Sequence, residues 1–247
     1  MSPGGKVYLV GAGPGDPELI TLKGVRVLSQ ADVVVYDRLV PRELLNYAKT
    51  GAELVYAGKQ PRRHAMSQDE INELLVKKAS QGLIVARLKG GDPLIYGRGD
   101  EECVYVRTHM IPCEVIPGIP SFIGASSEYL LPLGSRGYSR IFSVATGTVV
   151  GDQIIGSDRL KYILQATDSL VILMGARKLY RILGIVRETV GDSFPVALIE
   201  NATTPESRIT MGTVEELSSA NIRASPPLLI YLGGAVKWRI HHENALH

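Results

Sequence analysis

The sequence predicts an α/β protein of two domains, and three observations carry that prediction. Short apolar runs of strand character alternate with segments of helical spacing along nearly the whole chain. At 247 residues the chain is long for one compact α/β unit and suits two smaller ones. The turn-rich stretch Leu131-Pro-Leu-Gly-Ser-Arg-Gly-Tyr138 interrupts the alternation, dividing the chain into an N-terminal α/β domain at 1–135 and a C-terminal one at 136–247.

The first strand is Lys6 to Val10, ending in Gly11-Ala-Gly-Pro-Gly-Asp16. Pro17 to Ser29 then has helical spacing, with Asp16 as N-cap and Pro17 as first helical residue. Ala31 to Tyr36 is a second strand and ends on Asp37. A glycine loop after a strand, with an acid some twenty residues on, suggests a dinucleotide site. Three details oppose it. The third glycine falls at Gly15 rather than at the position of Asp16; Pro14 lacks an N–H for a pyrophosphate; and the Asp16 carboxylate would repel one.

Asp37 stands at the carboxyl end of its strand, where parallel sheets bind ligands, and equally well as the cap of a short helix from Pro41 to Tyr47. Glu53 to Tyr56 is a third strand, followed by Gly58-Lys-Gln-Pro-Arg-Arg-His64. This basic loop is either a site for a polyanion or a solvated charge run. Ser67-Gln-Asp-Glu70 is a capping box for a helix whose apolar stripe is Ile71, Leu74, Leu75 and Ala79.

A fourth strand, Leu83 to Ala86, delivers Arg87-Leu-Lys-Gly-Gly-Asp-Pro-Leu-Ile-Tyr-Gly-Arg-Gly99. Glycines at a strand end let backbone approach a ligand closely, while Asp92 favours a ribose hydroxyl or a cation over a phosphate. A plain strand-to-helix turn is the alternative. Asp100 to His109 is a helix, Glu114 to Ile116 a fifth strand, and Pro117-Gly-Ile-Pro-Ser121 turns into a further helix. The second domain has strands at Ile141–Ala145, Ser169–Met174, Val196–Glu200, Arg208–Met211 and Leu228–Leu232, and helices at Asp158–Gln165, Ala176–Val190 and Val214–Ala220.

Composition narrows the function. A formal charge of +2 gives no general case for nucleic acid or membrane partners. The longest apolar runs, at 169–176 and 227–236, fall short of the roughly 18 residues of a spanning helix, and no secretory h-region follows Met1. Neither HExxH nor metal-ligand histidine spacing is present, so a metal is not expected. Cys103 and Cys113 read as packing residues of a chain in a reducing cytoplasm. An acid at a strand end, a lysine in a basic loop and a phosphate-averse glycine pocket suit alkyl transfer from a sulfonium: Asp37 would take a proton and Lys59 orient the acceptor.

The motifs VYLVGAGPGDPELITLKG at Val7, ADVVVYDRLV at Ala31, GK at Gly58, LKGGDPLIYGRG at Leu88, PGI at Pro117, LMG at Leu173 and ENATTP at Glu200 together resemble the tetrapyrrole methylases. The Asp37-Arg-Leu-Val segment and the Gly-Arg-Gly of the loop are similar to the branch acting on uroporphyrinogen III. The resemblance implies two αβα domains with a cofactor cleft between them, a homodimer, and S-adenosyl-L-methionine as methyl donor, leaving S-adenosyl-L-homocysteine. The reaction implied is methylation of uroporphyrinogen III at C2 and C7 to precorrin-2, on the way to siroheme or cobalamin.

Matched position by position, the family's cofactor contacts fall on Pro14, Gly90, Gly91, Asp92, Ile95, Pro120, Ser121, Met174 and Ala202. The proton acceptor falls on Asp37 and the donor on Lys59. The carboxylates of the tetrapyrrole are expected on Arg38, Arg62, Arg63, His64 and Arg98. The chain departs from the family at Pro120-Ser121, usually Thr-Ala, at Gly134-Ser135, usually Thr-His, at Ala202, usually glycine, and at Gln60, commonly arginine. Because the methylase motif begins at Val7, methylation alone is expected, without the dehydrogenase and chelatase region of fused siroheme synthases.

Overall fold

The computed structural model describes residues 4–58, 66–149, 153–154 and 156–245. Contacts divide the chain into two compact units, Met1–Ser121 and Phe122–His247. The first carries a five-stranded sheet of β1 (Lys6–Gly11), β2 (Val33–Tyr36), β3 (Glu53–Tyr56), β4 (Ile84–Lys89) and β5 (Cys113–Ile116). Its order is β3-β2-β4-β1-β5 and every pairing is parallel. Alternate residues feed two cores: Val7, Leu9, Val33 and Val35 one face, Val10 and Val34 the other. Both faces are buried because the crossovers lay helices on each side.

The helix expected from Pro17 to Ser29 is two pieces. Asp16 caps a single 3-10 turn, Pro17–Leu19, by accepting from the Glu18 N–H at 2.8 Å. Ile20 is then extended, and Thr21 starts α1 (Leu22–Leu28) by accepting from the Gly24 N–H at 3.1 Å. Adjacent β-branched residues and a second capping side chain favour the break over one continuous helix. Helix α2 (Gln68–Ala79) begins with both reciprocal bonds of the Ser67–Glu70 capping box. Helix α3 (Gly99–Thr108) follows the glycine loop.

Two further expectations are corrected in this unit. Strand β4 does not stop at Ala86 but runs on to Lys89, because Arg87 and Lys89 find buried partners for their charges. The cysteines are not separate packing residues: Cys103 in α3 and Cys113 in β5 are disulfide-bonded, with Cα atoms 5.7 Å apart. Cys103 lies in the middle of α3 and Cys113 opens β5, and the packing of α3 against β5 brings their side chains together. The argument for a reducing compartment from unpaired cysteines therefore falls.

The second unit contains α4 (Ser121–Glu128), β6 (Phe142–Thr146), a two-stranded ribbon of β7 (Thr148–Val149) and β8 (Gln153–Ile154), α5 (Ser157–Ala166), β9 (Ser169–Leu173), α6 (Leu179–Val190), β10 (Pro195–Glu200), β11 (Arg208–Thr213), α7 (Val214–Ser219), β12 (Leu228–Gly233) and α8 (Gly234–His241). Its sheet order is β11-β10-β12-β9-β6, parallel only between β6 and β9. Helix α8 has no counterpart in the sequence reading.

The turn-rich stretch at 131–138, read as a linker with a boundary at 135/136, packs inside this second unit. Leu131 and Leu133 are buried with Phe122, Ala125 and Tyr231 in one of its cores, and the Tyr231 hydroxyl donates to the Phe122 carbonyl. Two leucines spaced to point into a core outweigh turn-rich composition, and the division falls at 121/122 instead.

Candidate functional site

Parallel pairing brings the carboxyl ends of β1, β2, β4 and β5 to one edge of the first sheet, and each ends in a motif loop. Tyr36 pairs with Leu88 and Gly11 with Lys89, so Asp37, the glycine loop and the Gly11–Asp16 loop leave the sheet at one level. The connections after adjacent β2 and β4 run in opposite directions along the sheet, to β3 and to β5. Ligand crevices open at such a point in parallel sheets.

The loops after β1 and β4 are stitched together through backbone. Ala12 donates to the Lys89 carbonyl at 2.7 Å, Gly91 to the Gly13 carbonyl at 2.7 Å, and Gly13 to the Gly91 carbonyl at 3.3 Å. Gly13 and Gly91 both adopt left-handed φ, at 80° and 67°, which side chains disfavour. The loop after β5 joins through Asp92, whose Oδ2 accepts from the Gly118 N–H at 3.0 Å while Oδ1 accepts from the Leu94 N–H at 2.8 Å. The packing is close enough that a Cβ on Gly118 would lie 2.2 Å from the Gly91 oxygen.

Pro14, Gly90, Gly91, Asp92, Ile95, Pro120 and Ser121 are thus gathered at one edge of the first unit. Ile95 is 41% exposed beside exposed Leu94 and Tyr96, which leaves apolar surface open at this edge. The N–H groups of Gly13 and Gly91 are committed to carbonyls and Pro14 has none. What remains suits a neutral or cationic nucleoside: a carboxylate, carbonyls and apolar surface. These residues fit a sulfonium nucleoside and do not supply the amide cradle of a diphosphate.

Asp37 is not a helix cap. The 3-10 helix Arg42–Tyr47 starts at Pro41 without a side-chain cap, and Asp37 Oδ1 accepts from the Leu39 N–H at 3.1 Å. Its Oδ2 accepts from Arg87 Nη2 at 3.3 Å, and the side chain is 30% exposed. Arg38, next to it, is exposed. Arg98, in left-handed φ at the head of α3, holds Glu101 through Nε at 3.0 Å and Nη2 at 2.7 Å. Lys59, Arg62, Arg63 and His64 lie outside the described residues.

In the second unit, Leu229 pairs with both Leu173 and Ile199, so Met174 and Ala202 follow strand ends at one edge of that sheet. Met174 is 52% exposed at φ 55°, a costly conformation for a long side chain. Ala202 is buried in a core of this unit. The turn it sits in has left-handed residues at Asn201 and Thr203, and the Thr203 N–H donates to Glu128 Oε2 at 2.7 Å.

Sequence reasoning missed the charged set beneath the first edge. Arg87, Lys89 and Glu102 are at most 5% exposed. Lys89 Nζ lies 2.7 Å from Glu102 Oε1, Arg87 Nε 3.5 Å from it, and Gln68 Nε2 donates to the same oxygen at 3.1 Å. Burial, then the neighbouring Arg87 charge, lowers the Lys89 pKa, with Glu102 opposing. The one available sequence signal was alternation: Arg87 and Lys89 flank Leu88 with strand period directly after an apolar run.

The family described as Tetrapyrrole (Corrin/Porphyrin) Methylases matches residues 6–218. The chain belongs to that family. It is 45% identical to a uroporphyrinogen-III C-methyltransferase of Methanocaldococcus jannaschii over 94% of this chain and 97% of the relative. It is 40% identical to a siroheme synthase of Hydrogenovibrio crunogenus over 96% of this chain but 50% of that longer protein. Among solved structures it is similar to a Thermus thermophilus uroporphyrin-III C-methyl transferase complexed with S-adenyl homocysteine, at TM-score 0.81 and 38% identity, covering 95% of this chain and all of that one.

Proposed function

We propose that the chain is an S-adenosyl-L-methionine-dependent C-methyltransferase that converts uroporphyrinogen III to precorrin-2. The supporting observation is the stitched glycine edge: its Gly13 and Gly91 amides are spent on each other's carbonyls, while the Asp92 carboxylate stands in the middle of the loop. That chemistry selects a donor that is cationic at sulfur and carries no phosphate. The 45% identity to a named uroporphyrinogen-III C-methyltransferase supports the acceptor.

S-adenosyl-L-methionine supplies an already activated methyl group, so the chain's residues need only orient the acceptor and remove a proton. Gly90 and Gly91 bring backbone close to the nucleoside, Ile95 and Pro120 give it apolar surface, and Asp92 keeps the loops at the required spacing. Asp37, oriented by the Leu39 N–H and Arg87, accepts the proton released after methyl transfer. Lys59, Arg38, Arg62, Arg63, His64 and Arg98 bind or polarise the polycarboxylate acceptor. Arg98 does so by exchanging or sharing its bond to Glu101.

Incubation with S-adenosyl-L-methionine and uroporphyrinogen III should yield a dimethylated isobacteriochlorin-type chromophore. If later corrin precursors are methylated and uroporphyrinogen III is not, the acceptor is wrong. If calorimetry shows NAD binding more tightly than S-adenosyl-L-homocysteine, the donor is wrong. The family resemblance also points to a homodimer working in the cytoplasm, for which sedimentation and cell fractionation are the tests. No helix among the described residues is long and apolar enough to cross a membrane.

A further inference from the structure

We propose that Glu102 and Lys89 are positioning residues for Asp37: together they fix the Arg87 guanidinium, which in turn fixes where the Asp37 carboxylate points. This rests on the reading of Asp37 as proton acceptor. Arg87 bridges the two carboxylates, with Nε 3.5 Å from Glu102 Oε1 and Nη2 3.3 Å from Asp37 Oδ2. Its Nη1 is held by the Leu88 carbonyl at 3.2 Å and the Val35 carbonyl at 3.5 Å, which sets the guanidinium plane against the sheet. Lys89 holds the same Glu102 oxygen at 2.7 Å.

Stability does not account for this set. Glu102 is fully buried, Arg87 4% and Lys89 5% exposed, and burying such charges costs as much desolvation as their attraction returns; well-packed apolar residues do as well or better. Three donors converge on Glu102 Oε1, while Oε2 accepts from no group among the described residues. The set lies directly behind the one carboxylate that ends β2 at the ligand edge, and buried charges of this kind mark functional sites.

The four charges balance, Arg87 and Lys89 against Glu102 and Asp37. Among the described residues, the other charged or titratable groups around them include Tyr36 and Arg38 beside Asp37, Tyr56 against the Tyr36 ring, Arg98 at the head of α3, Glu101 on it, and Asp69 on α2. Neutralising Glu102 removes the charge that anchors Arg87 Nε, and neutralising Lys89 removes the charge that holds Glu102, so either change loosens the guanidinium on which the Asp37 carboxylate rests.

The split between turnover and binding therefore separates this role from a structural one. With the full-length chain, Glu102→Gln and Lys89→Met should each lower kcat by about tenfold or more, while affinity for S-adenosyl-L-homocysteine by calorimetry and KM for uroporphyrinogen III stay within about twofold. Lys89→Arg should recover most of the turnover that Lys89→Met loses. Turnover unchanged in both variants, or a loss matched by an equal loss of binding, overturns the proposal. If one variant does not fold, the other decides. Asp37→Asn distinguishes the two levels: if it turns over like wild type, the proton-acceptor reading fails. If it is inactive while Glu102→Gln and Lys89→Met turn over like wild type, only the positioning proposal fails.

Discussion

The Gly118 N–H donates to Asp92 Oδ2 at 3.0 Å, and the other oxygen of the same carboxylate takes the Leu94 N–H at 2.8 Å. A single side chain thereby fastens the loop after β5 to the loop after β4 and closes the turn within the latter. Asp92→Ala leaves the part-buried Gly118 N–H without an acceptor and hands the exposed Leu94 N–H to water, which should cost about 1–3 kcal/mol in urea unfolding, mostly through Gly118. Affinity for S-adenosyl-L-homocysteine should fall by about tenfold or more, because the cradle is no longer held at its spacing. Asp92→Asn keeps an acceptor for one of the two donors and should fall between. An Asp92→Ala protein of unchanged stability and affinity would remove this residue from the site.

Gly118 faces a stricter limit. A Cβ there would sit 2.2 Å from the Gly91 oxygen and 2.8 Å from the Gly11 Cα, all backbone, so nothing flexible can yield. Gly118→Ala should cost about 1–3 kcal/mol by overpacking and weaken cofactor binding through the displaced Gly91. Gly134→Ala meets nothing within 4 Å and is the control; it should change stability by less than about 0.5 kcal/mol. Equal effects from the two substitutions would contradict the packing argument.

These loops were largely legible in the sequence because glycine, proline and aspartate encode backbone geometry locally. The alternation of strands and helices was legible for the same reason, since period and capping act within a few residues. What escaped depends on distant partners. Nothing near Asp37 announces Arg87, fifty positions away, and nothing near Arg87 announces Glu102 on the following helix. The end of β4 was placed too early because charged residues read as surface until a buried partner is known. The 131–138 stretch read as a linker because composition registers its turns but not the burial of Leu131 and Leu133. At Ile20 and Thr21 a local signal was present and was outvoted by the helical spacing around it. Pairing of Cys103 with Cys113 needed the path of the chain between α3 and β5, which spacing alone does not give.

Asp37→Asn preserves the shape of the side chain and an oxygen for the Leu39 N–H, but removes the charge that Arg87 faces. Turnover of uroporphyrinogen III should fall by about 10²–10⁴-fold, the range for removal of a positioned general base. Affinity for S-adenosyl-L-homocysteine should stay within about twofold, since the carboxylate belongs to β2 and the stitched glycine loops to β1, β4 and β5. Single-turnover kinetics with both substrates bound would check the first expectation, calorimetry the second.

Glu114 gives the clearest pH dependence in the first unit. Its two oxygens lie 2.6 Å from Lys6 Nζ and 2.7 Å from Lys23 Nζ. The bonds to Lys23 and then Lys6 pull its pKa from 4.5 down to about 2. A carboxyl group with a folded pKa below its unfolded one contributes stability that is fully present above pH 4.5 and is lost as pH falls toward 2. The side chain is 35% exposed and Lys23 50%, so solvent screening limits the contribution to less than about 1 kcal/mol. Glu114→Gln should therefore be slightly less stable than the parent at pH 7, with the gap narrowing below pH 4.5 and closing near pH 2. In 1 M salt the gap at pH 7 should shrink as well, because charges this exposed are screened over about 3 Å. Urea titrations of the two proteins across this range measure it directly. A gap that persisted at pH 2 would mean that Glu114 acts through packing rather than through its pair of lysines.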